Sequence, residues 1–271
     1  MKNYELLDSG SFKKIERFGP YTLIRPSAQA VWQPEDPNQW KGCDASFSRE
    51  NGNHWSGPLP KQWQVNCSGF FFKVSPTDFG HLGLFPEHQI HWRFVQKALE
   101  GQNAEVLNLF AYTGGMTLAA LSAKASVTHL DASKPMVSWA KENAKLNQLE
   151  KAPVRWIVDD AIKFLRREIK RERTYDAIIL DPPSFGRGSS NEVFKIEEDL
   201  PHLLDLCFQL LSKKPLFLLL TCHTPALSST VLSNLLEQKA KGQKIESGET
   251  LLPSKAGFFL PAGHFARVIY E

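Results

Sequence analysis

The 271-residue chain is 42% hydrophobic and 23% charged, a composition typical of a soluble globular protein with a full buried core. Its strongest apolar run, Leu216–Leu220, is far shorter than the roughly 18 residues that cross a membrane, and the N-terminus has no hydrophobic signal region. These features exclude a membrane-spanning or exported protein, so we expect a cytoplasmic protein that contacts no membrane.

The net charge and the cysteine spacing indicate which partners, metal sites and disulfides the sequence supports. A formal net charge of +3 permits a nucleic-acid partner without requiring one. The basic run from Lys163 to Arg173 fits a solvated helix end as well as an RNA contact. The four cysteines, at positions 43, 67, 207 and 222, have no C-x-x-C spacing, so we expect neither a metal site nor a disulfide framework.

The first part of the chain, residues 1–94, is rich in Pro, Gly and Trp and is predicted to be a small β-rich region that binds substrate or covers a cofactor. Tyr21–Ile24 and Gly69–Val74 resemble strands. The prolines between them predict an extended loop over Glu35–Gln62. Four tryptophans of this region could stack on bases, but packing in the core or packing that anchors loops is the favoured interpretation: Trp32, Trp40, Trp55 and Trp63.

Residues 95–271 alternate between strand-like and helix-like segments, which indicates a parallel sheet covered on both faces. The apolar runs predict strands at 105–110, 127–130, 154–158, 175–180 and 216–221. Two final segments, near 245–251 and 265–270, resemble a closing pair of strands. The pattern therefore predicts an α/β fold with a Rossmann-like, doubly wound and mostly parallel sheet of seven strands.

A glycine turn follows the first of these strands and points to an adenosine ligand. Val106–Phe110 is an apolar run, and Gly114 and Gly115 allow backbone angles or a close approach that a side chain would forbid. Asp131 ends the next strand, roughly 20 residues later, where doubly wound folds place a carboxylate on a ribose. The turn lacks the G-x-G-x-x-G pattern of pyrophosphate binding, so a phosphate-poor cofactor such as S-adenosylmethionine fits better than a dinucleotide. The alternative is that the glycines merely connect a strand to a helix.

Two further strands end in carboxylates. Asp159 and Asp160 end the third strand, and either could bind an adenine amino group or cap the following helix; Asp160 is favoured for the cofactor. Asp181 ends the fourth strand and is followed by two prolines, which lock the backbone and suit a planar substrate.

Together, the segments Asn108–Gly115, Asp131–Ser133, Trp139–Asn143 and Asp181–Phe185, with Asp160, resemble a class I S-adenosylmethionine-dependent methyltransferase. The closest resemblance is to the bacterial large-subunit ribosomal RNA cytosine methyltransferase group. It implies a cofactor site formed by Phe85, Glu87, Asn108, Phe110, Tyr112, Thr113, Gly114, Asp131, Ala132, Ser133, Asp160, Ala161 and Asp181. It also implies substrate contacts from Pro182, Pro183 and Phe185.

The cytosine-methylating members of this group attack the base with a cysteine just past the fifth strand, and Cys222 occupies that place here. By this resemblance Cys222 and Asp181 are catalytic, and the acceptor is RNA, with cytosine carbon 5 of ribosomal RNA favoured. The alternative is that Cys222 is a small buried hydrophobic residue. Two other functions remain open: methylation of a protein or small molecule, and a non-catalytic module that binds adenosine or RNA.

Overall fold

The computed structural model describes residues 3–50, 52–187 and 193–270. Backbone contacts divide the chain into two compact units. The first contains Met1–Gln89 and Leu251–Ala262, and the second contains Ile90–Thr250 and Gly263–Glu271. In the part of the chain that the structure describes, no helix has both the length and the apolar character needed to span a bilayer.

The first unit is built mainly of strands. They are β1 (Tyr4–Gly10), β2 (Lys13–Phe18), β3 (Tyr21–Pro26), β4 (Ala45–Ser48), β5 (His54–Ser56), β6 (Trp63–Cys67) and β7 (Phe70–Val74). Short 3-10 helices lie at Pro37–Trp40 and Pro86–His88. Strands β1 to β5 form one sheet in chain order, with β3 and β4 parallel, whereas β6 and β7 form a separate antiparallel pair.

The prediction of one extended loop over Glu35–Gln62 was wrong. This segment contains the 3-10 helix Pro37–Trp40 and both β4 and β5. Strand β4 exists because Ala45 and Ser46 pair with Leu23 and Ile24 of β3. That pairing joins residues about twenty positions apart, so the local proline pattern does not reveal it.

Four tryptophans of the first unit pack and hydrogen-bond within it, in line with the interpretation favoured from the sequence. Each of the four indole N–H groups donates a hydrogen bond within the unit. The acceptors are the Ser9 carbonyl oxygen for Trp32, Asp8 Oδ2 for Trp40, the Thr77 carbonyl oxygen for Trp55 and the Phe18 carbonyl oxygen for Trp63, at 2.8 to 3.0 Å. Partly buried indoles need such partners, so these contacts fix the segments that carry the tryptophans.

The second unit alternates helices and strands. Its helices are α1 (Gln89–Leu99), α2 (Gly115–Ser122), α3 (Lys134–Leu146), α4 (Ala161–Lys170), α5 (Ile196–Gln209) and α6 (Ser229–Lys239). Its strands are β8 (Glu105–Leu109), β9 (Ser126–Asp131), β10 (Val154–Val158), β11 (Ala177–Leu180), β12 (Phe185–Arg187), β13 (Val193–Lys195) and β14 (Phe217–Cys222). It also contains most of β15 (Lys244–Pro253) and β16 (Phe259–Ile269), whose residues within Leu251–Ala262 belong to the first unit.

A seven-stranded sheet in the order β10-β9-β8-β11-β14-β16-β15 forms the centre of the second unit. Strands β10, β9, β8, β11 and β14 are parallel, and β16 pairs antiparallel to β14. The α/β class, the mostly parallel sheet and the β-rich N-terminal region are therefore confirmed.

Helices cover this sheet on both faces. Leu107, Leu109, Ile178 and Leu180 pack into one apolar core with residues of α4, α5 and α6. Successive strand residues point to opposite faces, and Asn108 accordingly contacts Thr117 of α2. Both faces are buried, which explains the nearly continuous apolar runs in the sequence.

Candidate active site

The strand register brings the predicted site residues to one edge of the sheet. Leu109 of β8 lies opposite Leu130 of β9 and Leu180 of β11, and Leu180 lies opposite Leu220 of β14. The residues that follow these positions are therefore neighbours at the carboxyl ends of the strands: Phe110, Asp131, Asp181 and Thr221. Sheets of this kind bind ligands at this edge, where the strand order reverses.

The turn after β8 has a backbone that only a few residues tolerate. Phe110, Tyr112 and Gly114 all have positive φ angles, of 53°, 50° and 91°. Gly114 is the N-cap of α2. A Cβ atom on Gly115 would lie 2.8 Å from Cζ2 of the buried Trp92. The glycines are thus required by the turn and by close packing, and the two strained non-glycine residues mark a site where function is commonly found.

Asp131 ties this turn to strand β9. Its Oδ2 accepts a hydrogen bond from the Tyr112 N–H and its Oδ1 accepts one from the Ser133 N–H, both at 2.8 Å. Burial raises the pKa of Asp131, and the N–H groups of Ser133 and Tyr112 act in the opposite direction. A carboxylate has about four acceptor positions, so both oxygens retain capacity for ribose hydroxyls.

A buried polar network supports the turn from below. The Asn108 side-chain amide donates to Thr117 Oγ1 at 2.9 Å, and Thr117 Oγ1 lies 2.9 Å from His129 Nδ1. Burial, with Lys141 adding to it, lowers the pKa of His129 to about 3, so the imidazole is neutral. Asn108, Thr117 and His129 are each 3% exposed or less. We infer that Asn108 orients the turn through α2.

A second tether comes from α3. The Asn143 side-chain amide donates to the Thr113 carbonyl oxygen at 2.9 Å. Asn143 lies within the helical segment that the resemblance includes, but the sequence assigns it no role. Trp92, Thr117 and His129 were also missed, because no local pattern shows which helix residues meet the turn.

The acidic pair after β10 serves the start of helix α4. Asp160 is its N-cap, and Asp160 Oδ1 accepts a hydrogen bond from the Lys163 N–H at 2.9 Å. Asp159 accepts from the Asp160 N–H and forms an ion pair with Arg167. Ala161 is buried in the apolar core. Asp160 therefore caps helix α4, as one of the two interpretations expected. A contact between Asp160 and adenine stays a prediction, and it would involve the other carboxylate oxygen.

Asp181 is oriented by the neighbouring strand. Its Oδ1 accepts a hydrogen bond from Thr221 Oγ1 at 2.7 Å and lies 3.6 Å from His223 Nε2. Ser184 Oγ and Thr224 Oγ1 are 2.6 Å apart and join the proline segment to the end of β14. Thr221 and His223 were not among the predicted site residues.

The residues predicted to contact substrate differ in exposure. Pro182 is buried, Pro183 is exposed, and Phe185 is 54% exposed at the start of β12. An exposed aromatic ring next to a rigid backbone is suited to contact with a planar group.

Cys222 ends β14 and is only 1% exposed. Its sulfur accepts a hydrogen bond from the Thr224 N–H at 3.4 Å. Burial raises the pKa of Cys222, and the negative charge of Asp181 adds to this, while hydrogen bonds from Thr224 act in the opposite direction. The side chain also belongs to the apolar core. Burial and the charge of Asp181 therefore favour the neutral thiol of Cys222 over its thiolate.

Phe85 and Glu87 belong to the first unit. Phe85 precedes the 3-10 helix Pro86–His88, and its ring centroid lies 5.3 Å from that of His81. Glu87 is buried, with Oε2 lacking a hydrogen-bond partner among the described residues. Their contribution to cofactor binding, like that of Ala132, stays a prediction.

The family model described as S-adenosylmethionine-dependent methyltransferase matches residues 45–244, well over half of the sequence. The chain belongs to this methyltransferase family. It is therefore an enzyme whose cofactor is S-adenosylmethionine. The strand-end carboxylates fit this cofactor, because they can accept hydroxyl and amino hydrogens.

Named relatives and solved structures agree with this family. Ribosomal RNA large subunit methyltransferase K/L of Pseudoalteromonas atlantica is 42% identical over 129 residues, which are 47% of this chain and 18% of that protein. The chain spans about a fifth of the length of the curated relatives that it matches.

Among solved structures, the SAM-dependent methyltransferase from Agrobacterium tumefaciens has a TM-score of 0.95 and 38% identity, covering 100% of this chain and 91% of that one. The tRNA (uracil-54, C5)-methyltransferase of Pyrococcus abyssi, in complex with S-adenosyl-L-homocysteine, has a TM-score of 0.54 and 12% identity. That match covers 96% of this chain and 60% of the other, and it shows the fold alone.

Proposed function

We propose that this methyltransferase acts on RNA and that large-subunit ribosomal RNA is its acceptor. The observation that carries the proposal is the rigid, aromatic edge formed by Pro182, Pro183 and Phe185 beside Asp181, at the same sheet edge as the glycine turn. Such an edge can hold a base that is out of its stack. The name of the Pseudoalteromonas atlantica relative supports ribosomal RNA as the RNA class.

The proposed catalysis is chiefly positioning. When S-adenosylmethionine is bound, its sulfonium supplies an electrophilic methyl group. We propose that Asp131 and Asp160 hold the adenosine part, while Phe110, Tyr112, Thr113 and Gly114 contact the methionine part. Asp181, held by Thr221, would then orient the acceptor base. Alignment of nucleophile and methyl group accounts for most of the barrier reduction in such transfers.

Cytosine carbon 5 is the finer form of this proposal. It requires the Cys222 thiolate to add to carbon 6 of the base, after which carbon 5 would take the methyl group from the sulfonium, with release of the thioether. A base, for which Asp181 is the candidate, would then take the carbon-5 proton as the bond between carbon 6 and the Cys222 sulfur breaks. The position of Cys222 at the end of β14, next to Thr221, whose hydroxyl donates to Asp181, supports this chemistry. The burial of Cys222 and its raised pKa count against it. The thiol would have to become accessible and lose its proton when RNA binds.

The test is to incubate the purified protein with methyl-labelled S-adenosylmethionine and an extract from a strain that lacks the protein. We expect label in RNA, in the large-subunit ribosomal fraction. Asp181→Ala is expected to lose this transfer, whereas Glu237→Ala, on the exposed face of α6, is the matched control that retains it. Label only in protein or small molecules would contradict the RNA proposal. Cofactor binding without any transfer would favour a non-catalytic module.

A further inference from the structure

The first unit exposes a group of apolar side chains, which we call the aromatic patch. We define the patch as Phe12, Val31, Trp32 and Phe258. Phe12 is 60% exposed, Val31 is 65% exposed and Phe258 is 47% exposed, while Trp32 is partly buried. Exposed apolar side chains are common singly, but a contiguous group indicates an interaction site.

Hydrogen bonds and ring contacts place these residues together. The N–H groups of Ser11 and Phe12 donate to the carbonyl oxygens of Trp32 and Ala30, both at 2.7 Å. The ring centroids of Trp32 and Phe258 are 6.3 Å apart. The indole N–H of Trp32 is already held by Ser9, so its ring is fixed in place beside Phe258.

Phe12 has a backbone conformation that favours a different residue. Ser11 and Phe12 form the two-residue turn between β1 and β2, with φ angles of 48° and 63°. Such turns favour Asn-Gly, because a bulky side chain at positive φ is strained. A strained residue that also exposes a large apolar ring gains no stability from either property. This combination points to a role in binding.

The charged and polar residues of the patch segments indicate a class of partner. The segments that form it, residues 11–13, 26–33 and 254–259, contain Lys13 and Lys255 and no aspartate or glutamate. Both lysines are exposed. Gln29 and Gln33 are exposed in the same segments and offer amide groups. Aromatic faces, amides and isolated positive charge are the chemistry that binds unstacked bases and phosphates of single-stranded RNA.

We propose that the aromatic patch is an RNA-binding surface that stacks at least one unpaired base of the acceptor RNA. This inference rests on the proposed RNA function and adds a contact surface that lies outside the candidate active site. Phe12 and Phe258 provide the stacking faces, and Lys13 and Lys255 contact the backbone phosphates.

The experiment measures the affinity of the full chain for a short fluorescein-labelled single-stranded RNA of mixed sequence. Phe12→Gly removes the ring and also relieves the backbone strain, so the melting temperature is expected to stay equal or rise. Phe12→Gly and Phe258→Ala are each expected to weaken binding by at least about five-fold. Phe79→Ala is the matched control, since Phe79 is 70% exposed in the same unit but outside the patch. The Phe79→Ala variant is expected to bind the RNA with the same affinity as the unaltered chain.

The lysines are tested by the salt dependence of the same binding. Lys13→Gln and Lys255→Gln are each expected to reduce the slope of log affinity against log salt by roughly one unit or less. Unchanged slopes in both variants, with unchanged affinities in Phe12→Gly and Phe258→Ala, would overturn the proposal. A change of oligomeric state in these variants with unaltered RNA affinity would also overturn it, because the patch would then bind a second copy.

The two proposals fail in different ways. If the unaltered chain methylates RNA and the patch variants do so with unchanged KM, only the RNA-binding surface is wrong. If the unaltered chain neither binds nor methylates RNA, both proposals are wrong.

Discussion

Asp131 combines two tasks in one side chain. It accepts hydrogen bonds from the N–H groups of Tyr112 and Ser133 and is predicted to hold the ribose. We expect Asp131→Ala to weaken S-adenosylmethionine binding by about 1–3 kcal/mol, because it leaves these N–H groups without their acceptor. Asp131→Asn keeps the shape and one acceptor oxygen, and should lose less. Titration calorimetry checks both variants, and an unchanged affinity in Asp131→Ala would remove this residue from the site.

A substitution at Cys222 tests which atom of the base accepts the methyl group. If cytosine carbon 5 is methylated, Cys222→Ser should abolish turnover while cofactor binding stays intact, because a hydroxyl is a much weaker nucleophile at this position. Cys43→Ser is the control, since Cys43 lies in the first unit and has no assigned role. Full turnover by Cys222→Ser, measured by methyl transfer to RNA, would leave a nitrogen atom, an oxygen atom or a differently activated carbon atom as the acceptor.

The glycine turn and helix α1 form one packed element, because Gly115 lies directly against Trp92. A methyl group at position 115 would approach the indole to 2.8 Å. We expect Gly115→Ala to destabilise the fold by about 1–3 kcal/mol and to weaken cofactor binding, since Trp92 is buried and has little room to move.

Double substitution isolates this packing effect. In Gly115→Ala/Trp92→Phe, the smaller ring should restore part of the lost stability and affinity relative to Gly115→Ala. Chemical unfolding and calorimetry measure the two quantities. Strictly additive effects would show that the contact between residues 92 and 115 is not the cause.

At the scale of the whole molecule, Glu168 makes stability depend on acid pH. It is fully buried on α4 and accepts hydrogen bonds from Arg155, Tyr175 and Arg171. Burial would raise its pKa, but these hydrogen bonds outweigh burial and lower the pKa to about 2. A depressed pKa means that the stabilisation is present above the ordinary pKa of about 4.5 and is lost as the pH falls towards 2.

Replacement of Glu168 by Gln should remove this pH dependence. We expect Glu168→Gln to lower the free energy of unfolding at neutral pH by on the order of 2 kcal/mol. This figure is reduced from the full pKa shift, because Arg171 is exposed and solvent screens its interaction with Glu168. The difference between the two proteins should shrink as the pH falls from about 4.5 to 2. Urea unfolding across this range measures it, and a difference that stays constant with pH would contradict the assignment.

Much of the fold follows from the sequence, because buried parallel strands and amphipathic helices leave direct patterns. The runs around Val106, Val127 and Leu218 became central strands at nearly the predicted positions. Asp160 shows the limit of this reasoning. The sequence offers both capping and cofactor binding, and only the 2.9 Å contact with the Lys163 N–H shows that capping is used.

By itself, the sequence determined the α/β class, the seven-stranded sheet and the strand ends that carry Asp131 and Asp181, because periodicity and turn chemistry are local properties. Its resemblance to a methyltransferase family indicated the cofactor. The tertiary structure decided which side chains meet at these strand ends. The packing of Trp92 on Gly115, the hydrogen bond from Thr221 to Asp181 and the burial of Cys222 all join residues far apart in the chain. The energies of these contacts depend on the distances between side chains and on the exclusion of water, and both are set only when the sheet has formed.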